Sequence, residues 1–167
     1  MKIFYPWLDW VPDSFWAGVS KLWGLGNLRA PGTWGSAAGF LFCFFALRHA
    51  PFWAYAVVCV LLLYVAVGVC GRAQDFFKVR DPGFIILDEF AVMPLCYVFL
   101  WAPPAKYLAL FYALGFALFR FFDIVKPLGI SKIQNLPGGL GVVADDVLAA
   151  VYACAVLNAA AFCMERM

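Results

Sequence analysis

An all-α integral membrane bundle of about five spans, preceded by a short interfacial helix, is the fold class this chain predicts. Three observations carry it. Of 167 residues, 66% are hydrophobic and only 13% are charged, about half the charged share of a soluble domain. Aromatics reach 19%. The apolar residues fall into runs separated by short polar turns. At this length one domain is expected, with residues 1–34 as an N-terminal interfacial region and 35–163 as the helical membrane core.

The N-terminus carries Pro6, Asp9, Pro12 and Asp13, which does not suit the apolar core of a signal peptide. Residues 13–23 place Phe15, Trp16, Val19, Leu22 and Trp23 at helical spacing behind Asp13, a candidate N-cap. The segment is too short to span, and its tryptophans suit the water–lipid interface. Packing on the protein core is the competing reading. Gly24–Ser36 follows as a glycine-rich turn.

Spans are expected at 35–50, 52–71, 85–101, 105–121 and 144–163. Crossing about 30 Å of hydrocarbon takes about 20 helical residues, so the third and fourth are short. The connections at His49–Phe52 and Ala102–Lys106 are tight enough for helix hairpins. Five crossings put Lys2, Lys21, Arg29, Arg72, Lys78, Arg80, Arg120, Lys126 and Lys132 on one side, and Arg48, Lys106 and Arg166 on the other. By the positive-inside rule the first side is cytoplasmic. All the acids except Glu165 share that side. Polar groups gathered at one face suit an interfacial enzyme better than a transport path, which needs them at mid-membrane.

Arg120–Asp146, RFFDIVKPLGISKIQNLPGGLGVVADD, is the longest polar interruption. Asp123 and Lys126 stand one helical turn apart, as an ion pair or as site groups. Asp145 and Asp146 open the last helix. Helix capping would explain one of them, and the other is expected to face a site. Asp81 lies in a DPG turn, where it is a cap or a site residue. Asp88 and Glu89 enter the third span together, and paired carboxylates there are what Mg²⁺ prefers. Thr33 with Ser36, and Gly138-Gly139-Leu140-Gly141, precede helices whose free N–H groups suit a phosphate.

The six cysteines lie in or beside apolar runs without metal-site spacing, which reads as small buried hydrophobes. The single histidine, His49, falls on the opposite face, which excludes histidine-dependent lipid phosphatases. GxSxG, CxxxxxR and DxDxT motifs are missing, and serine hydrolases, cysteine phosphatases and haloacid dehalogenase-type phosphatases go with them. A net charge of +2 gives no argument for nucleic acid.

APGTWGS (Ala30–Ser36), DPGFIILDEF (Asp81–Phe90) and FRFFDIVKPLGI…LPGGLGVVADDVLAA (Phe119–Ala150) together resemble the phosphatidylglycerophosphatase A family, in that family's motif order. Three local departures, Ala91-Val92-Met93 after the acid pair, KPLGI, and VVADD, remove no charged group. The resemblance implies a single bacterial membrane phosphatase domain that uses Mg²⁺ to remove the terminal phosphate of phosphatidylglycerophosphate. Its expected place is the inner (cytoplasmic) membrane, multi-pass, with the site facing the cytoplasm. The motif residues fall on Thr33, Asp81, Asp88, Glu89, Arg120, Asp123, Lys126, Gly139, Asp145 and Asp146. Catalysis is expected from Asp88, Asp123, Lys126 and Asp146, and substrate binding from Thr33, Arg120 and Gly139. Metal binding is expected from Asp88, Glu89, Asp123, Asp145 and Asp146. Phospholipid substrate and membrane lipids are the expected partners, nucleic acid is not, and a homo-oligomer is compatible. Two other classes stay open. A phospholipid-synthesis transferase would need a DGxxAR…GxxxDxxxD spacing that this chain lacks, and an ion-coupled transporter would need acids at mid-membrane.

Overall fold

The computed structural model describes residues 5–100, 105–127, 130–133, 136 and 138–165. Among these there is helix and no strand, because the apolar runs satisfy their own backbone groups internally, as a bilayer demands. The helices are α1 (Asp13–Ser20), α2 (Pro31–Phe42), α3 (Phe52–Phe77), α4 (Leu87–Val92), α5 (Leu108–Val125), α6 (Ile130–Ile133) and α7 (Gly139–Glu165). Of the expected spans, α3, α5 and α7 are long and apolar enough to cross a membrane alone. The first is shorter, α2 continuing through a π-helical turn to Leu47.

The third is no continuous span. α4 covers six residues and gives way to a 3-10 segment, Met93–Tyr97. Pro94 explains the break, since it lacks the N–H that a continuing α-helix needs. Its carbonyl accepts a hydrogen bond from the Tyr55 hydroxyl at 2.8 Å, and the Tyr97 hydroxyl donates to the Tyr112 carbonyl at 2.7 Å. This broken helix occupies the centre of the bundle and packs on α2, α3, α5 and α7. Met93 and Cys96 are fully buried. The turn at His49–Phe52 is tight as expected, but the hairpin is open, with α4 packed on both of its arms. The expected turn at Ala102–Lys106 falls mostly outside the described residues.

Close packing around α4 depends on missing side chains along α2. A Cβ on Gly35 would stand 2.7 Å from the Ile86 carbonyl oxygen, and one on Gly39 would stand 2.7 Å from Met93. Small residues three and four apart let helices approach closely in the absence of a hydrophobic drive between them. Large apolar side chains such as Phe45, Trp53, Val60, Leu110 and Phe162 remain exposed, a lipid-facing girdle around a polar end.

The N-terminal region packs on α3 rather than standing apart. Asp13 does not cap α1. Pro12 takes that position, and Asp13 joins Asp9 in gripping Arg72, at 2.7 and 3.0 Å. The helix stops at Ser20, short of Trp23, because Leu22 and Trp23 turn into the left-handed region (φ 45° and 53°). The Ser20 carbonyl then accepts the Ile86 N–H at 2.9 Å. This tethers the loop that leads into α4. Core packing and an exposed aromatic rim (Trp10, Phe15, Trp23) coexist here.

Candidate active site

The starts of α2, α4 and α7 meet the ends of α3 and α5 at one end of the bundle, and the charged motif residues meet there with them. Arg120, from the last turns of α5, donates to Asp123 at 2.8 Å and lies 3.9 Å from Glu89. Its guanidinium also reaches the Ser36 hydroxyl at 3.4 Å. Gly32 makes room for this. A Cβ there would collide with Glu89 and stand 3.1 Å from Arg120. Lys126, leaving α5 at φ 47°, places its ammonium 2.6 Å from Asp145. Asp123 and Lys126 are therefore not an intrahelical pair. Once Lys126 turns out of helical geometry, each takes a different partner.

Both members of the Asp145-Asp146 pair face inward, with 3% and 5% exposure. Asp145 faces Lys126, whereas Asp146 faces Asp123 and Asp88. Two carboxylates so placed need a proton or a cation between them. Asp88, at 5% exposure, accepts the Glu89 N–H at 3.0 Å. Five largely buried carboxylates (Asp88, Glu89, Asp123, Asp145, Asp146) thus share two cations, Arg120 and Lys126. One oxygen each of Glu89 and Asp145 is buried without a hydrogen-bond partner. Among the described residues no three acidic, histidine or cysteine side chains converge on one ion position.

Asp81 is exposed at the edge of the cluster, and the partial loss of water on its inner side first and the Asp145 charge second push its carboxyl above its usual range, against the pull of Lys126. For Lys126, burial acts downward, but the hydrogen bond and charge of Asp145 prevail and hold the ammonium above its ordinary value. Asp81 is no helix cap. It sits in a turn at φ 47°, and its backbone N–H donates to the Gln74 side chain at 3.0 Å.

Two further residues expected at the substrate, Thr33 and Gly139, are placed as follows. Thr33 is exposed on the first turn of α2, and it is Ser36, fully buried, that touches Arg120. Gly139 is buried against α3, where a Cβ would collide with the Val67 carbonyl oxygen and stand 2.8 Å from the Gly71 amide nitrogen. Its missing side chain closes α7 onto α3. Two residues of α3 were given no place at the site from the sequence. Cys70, fully buried, lies against Asp88, Glu89 and Asp146. Gln74, one turn on, holds Asp81. An apolar helical run marks neither.

An all-helical bundle, apolar around its girdle and crowded with carboxylates and cations at one end, defines a membrane enzyme built to handle a charged group at the lipid surface. The model of the phosphatidylglycerophosphatase A family matches residues 18–161. Phosphatidylglycerophosphatase A of Haemophilus influenzae is 36% identical over 81% of this chain and 81% of its own length. The Escherichia coli protein of the same name is 30% identical over 94% of this chain and 84% of its own. A Bacteroides thetaiotaomicron protein, named as a candidate phosphatidylinositol-3-phosphatase, is 36% identical over 74% and 78%. No solved structure matches the chain. The chain belongs to the phosphatidylglycerophosphatase A family, and it is a phosphatase acting on phosphoric monoesters.

Proposed function

We propose that this protein hydrolyses phosphatidylglycerophosphate to phosphatidylglycerol and phosphate, with Mg²⁺, at the cytoplasmic face of a bacterial inner membrane. The observation that carries the reading is the imbalance of five largely buried carboxylates against two cations. Uncompensated buried charge is costly, and hard oxygen donors are what Mg²⁺ takes. The partnerless oxygens of Glu89 and Asp145 fit such an ion. One or two such ions would be held by some of Asp88, Glu89, Asp123, Asp145 and Asp146. When bound, Mg²⁺ would offset phosphate charge and ease deprotonation of water.

The chain's own groups supply the rest. Arg120 and Lys126 neutralise phosphate oxygens, and Arg120 is pre-aimed by Asp123 and Ser36. Asp123 and Asp146, facing one another, provide a carboxylate to take the proton from attacking water. The apolar girdle keeps the acyl chains in lipid while the phosphomonoester enters the polar end. The middle turns of the long helices α3, α5 and α7 carry no charged residue, which tells against the transport alternative.

Purified protein in mixed micelles tests the reading through phosphate release from phosphatidylglycerophosphate, with Mg²⁺ and after chelation. Release that survives rigorous metal removal refutes the metal. Release from inverted but not from right-side-out vesicles supports the cytoplasmic face. The name of the Bacteroides relative makes a 3-phosphorylated inositol lipid the competing substrate, and preference for it overturns the headgroup assignment.

A further inference from the structure

Cys70 and Gln74 are four residues apart on α3 and so share a helical face. Cys70 lies against Asp88, Glu89 and Asp146, which aims that face at the site. Gly71, between them, meets the first residue of α7. Gln74 therefore stands at the outer edge of the cluster. Its side-chain oxygen accepts the Asp81 N–H at 3.0 Å, while its Nε2 is buried with no hydrogen-bond partner. A buried amide donor left unsatisfied is costly and calls for an explanation. Beside it stands Asp81, whose carboxylate feels the charges of Asp145, Lys126, Asp123 and Arg80.

Charge decides what such a pair can take. Asp81 repels a phosphate, Arg120 and Lys126 are engaged by Asp123 and Asp145, and the pull of Lys126 and Arg80 on the Asp81 carboxylate is outweighed by partial burial and the Asp145 charge. A neutral donor beside an acceptor matches a hydroxyl, which both donates and accepts. We propose that Gln74 Nε2 and the Asp81 carboxylate form a hydroxyl subsite that reads the free secondary hydroxyl of the substrate's glycerol headgroup. Gln74 is then a specificity-determining residue. This rests on the function proposed above and deepens it by separating headgroup recognition from phosphate recognition.

The test pairs a protein change with a ligand change. Phosphate release is measured for wild type, Gln74→Met and Gln74→Glu on phosphatidylglycerophosphate and on its analogue lacking that hydroxyl. Removing the hydroxyl is expected to lower wild-type kcat/KM about tenfold, the scale of one hydrogen bond, chiefly through KM. Gln74→Met, which lacks the donor, is expected to treat the two lipids alike. Gln74→Glu retains an acceptor for the Asp81 N–H and loses the donor, and it too is expected to lose the discrimination. If wild type hydrolyses both lipids equally well, the subsite is overturned while the phosphatase reading stands, whether or not the variants fold. Equal loss on both lipids in the two variants, with discrimination kept, overturns it as well and leaves Gln74 a scaffold for Asp81. No release from either lipid by wild type overturns both readings.

Discussion

Removing Lys126 exposes how the site balances its charge. The ammonium stands 2.6 Å from an Asp145 carboxylate whose side chain is only 4% exposed, while that of Lys126 is 26% exposed. At that separation the gross attraction is roughly 6 kcal/mol for an effective dielectric of 20. Desolvation offsets much of it, and the part-exposed lysine is screened by solvent. A net coupling of about 2–3 kcal/mol remains. Lys126→Ala leaves Asp145 buried, with one oxygen already partnerless and the other newly so. Asp145→Asn removes the charge that needs compensation, so the double variant should recover most of the lost stability. Thermal unfolding in detergent, under chelator, of the wild type, both single variants and the double variant closes the cycle. Mg²⁺ should restore Lys126→Ala more than it stabilises wild type, because a divalent ion would replace the missing cation. A coupling below about 0.5 kcal/mol, the level of an exposed pair, would falsify the claim that this ion pair counts as buried.

Asp88→Asn should keep the fold and lose phosphate release by about 10²-fold or more, as expected for an electrostatic group acting on transition-state charge, and wild-type turnover would show the carboxylate to be scaffold. Lys78→Gly serves as its control, since Lys78 is exposed at φ 54° and should tolerate glycine with near wild-type activity. Gly139→Ala should lower thermal stability by about 1–3 kcal/mol, because its methyl meets the α3 backbone at Val67 and Gly71, and an unchanged unfolding temperature contradicts that packing. Asp81→Asn should be more stable than wild type near neutral pH and equal to it in acid. The raised carboxyl means that the folded state holds the proton more tightly than the unfolded one, so wild type loses stability as pH rises from the ordinary carboxylate range through the raised value. Unfolding temperatures against pH give the sign directly, and an advantage for Asn that grows toward acid contradicts it.

Charge was the most legible feature of the sequence. In so apolar a chain, Asp88, Glu89, Arg120, Asp123, Lys126, Asp145 and Asp146 had few places to go, and they meet at one end as their positions at segment ends required. Their pairing was not legible. Helical spacing joined Asp123 to Lys126, but the left-handed turn at Lys126 and the approach of α7 are tertiary facts. Pro94 did mark the break in the third segment, and the apolar length around it masked that signal. Ser36 rather than Thr33 meets Arg120 because it lies one turn deeper in α2: three residues apart, the two hydroxyls share a face, about 60° apart, and differ in depth. Cys70 was legible as a small buried side chain, but neither it nor Gln74 signalled a place at the site, since that depends on which face of α3 α4 selects.

Biosynthesis inherits a constraint from the broken helix at the centre of the bundle. Six α-helical residues followed by a five-residue 3-10 segment cannot cross the hydrocarbon unaided, and the 3-10 backbone relies on Tyr55 of α3 and on the Tyr97–Tyr112 contact with α5. Membrane insertion one helix at a time therefore stalls at α4, which has no stable place in lipid until α5 and α7 have entered behind it. The carboxylates of Asp88 and Glu89 are drawn in last, along with the segment that bears them. A chain interrupted before α7 should leave that segment in water, accessible to protease, and the charged end of the bundle should assemble all at once or not at all.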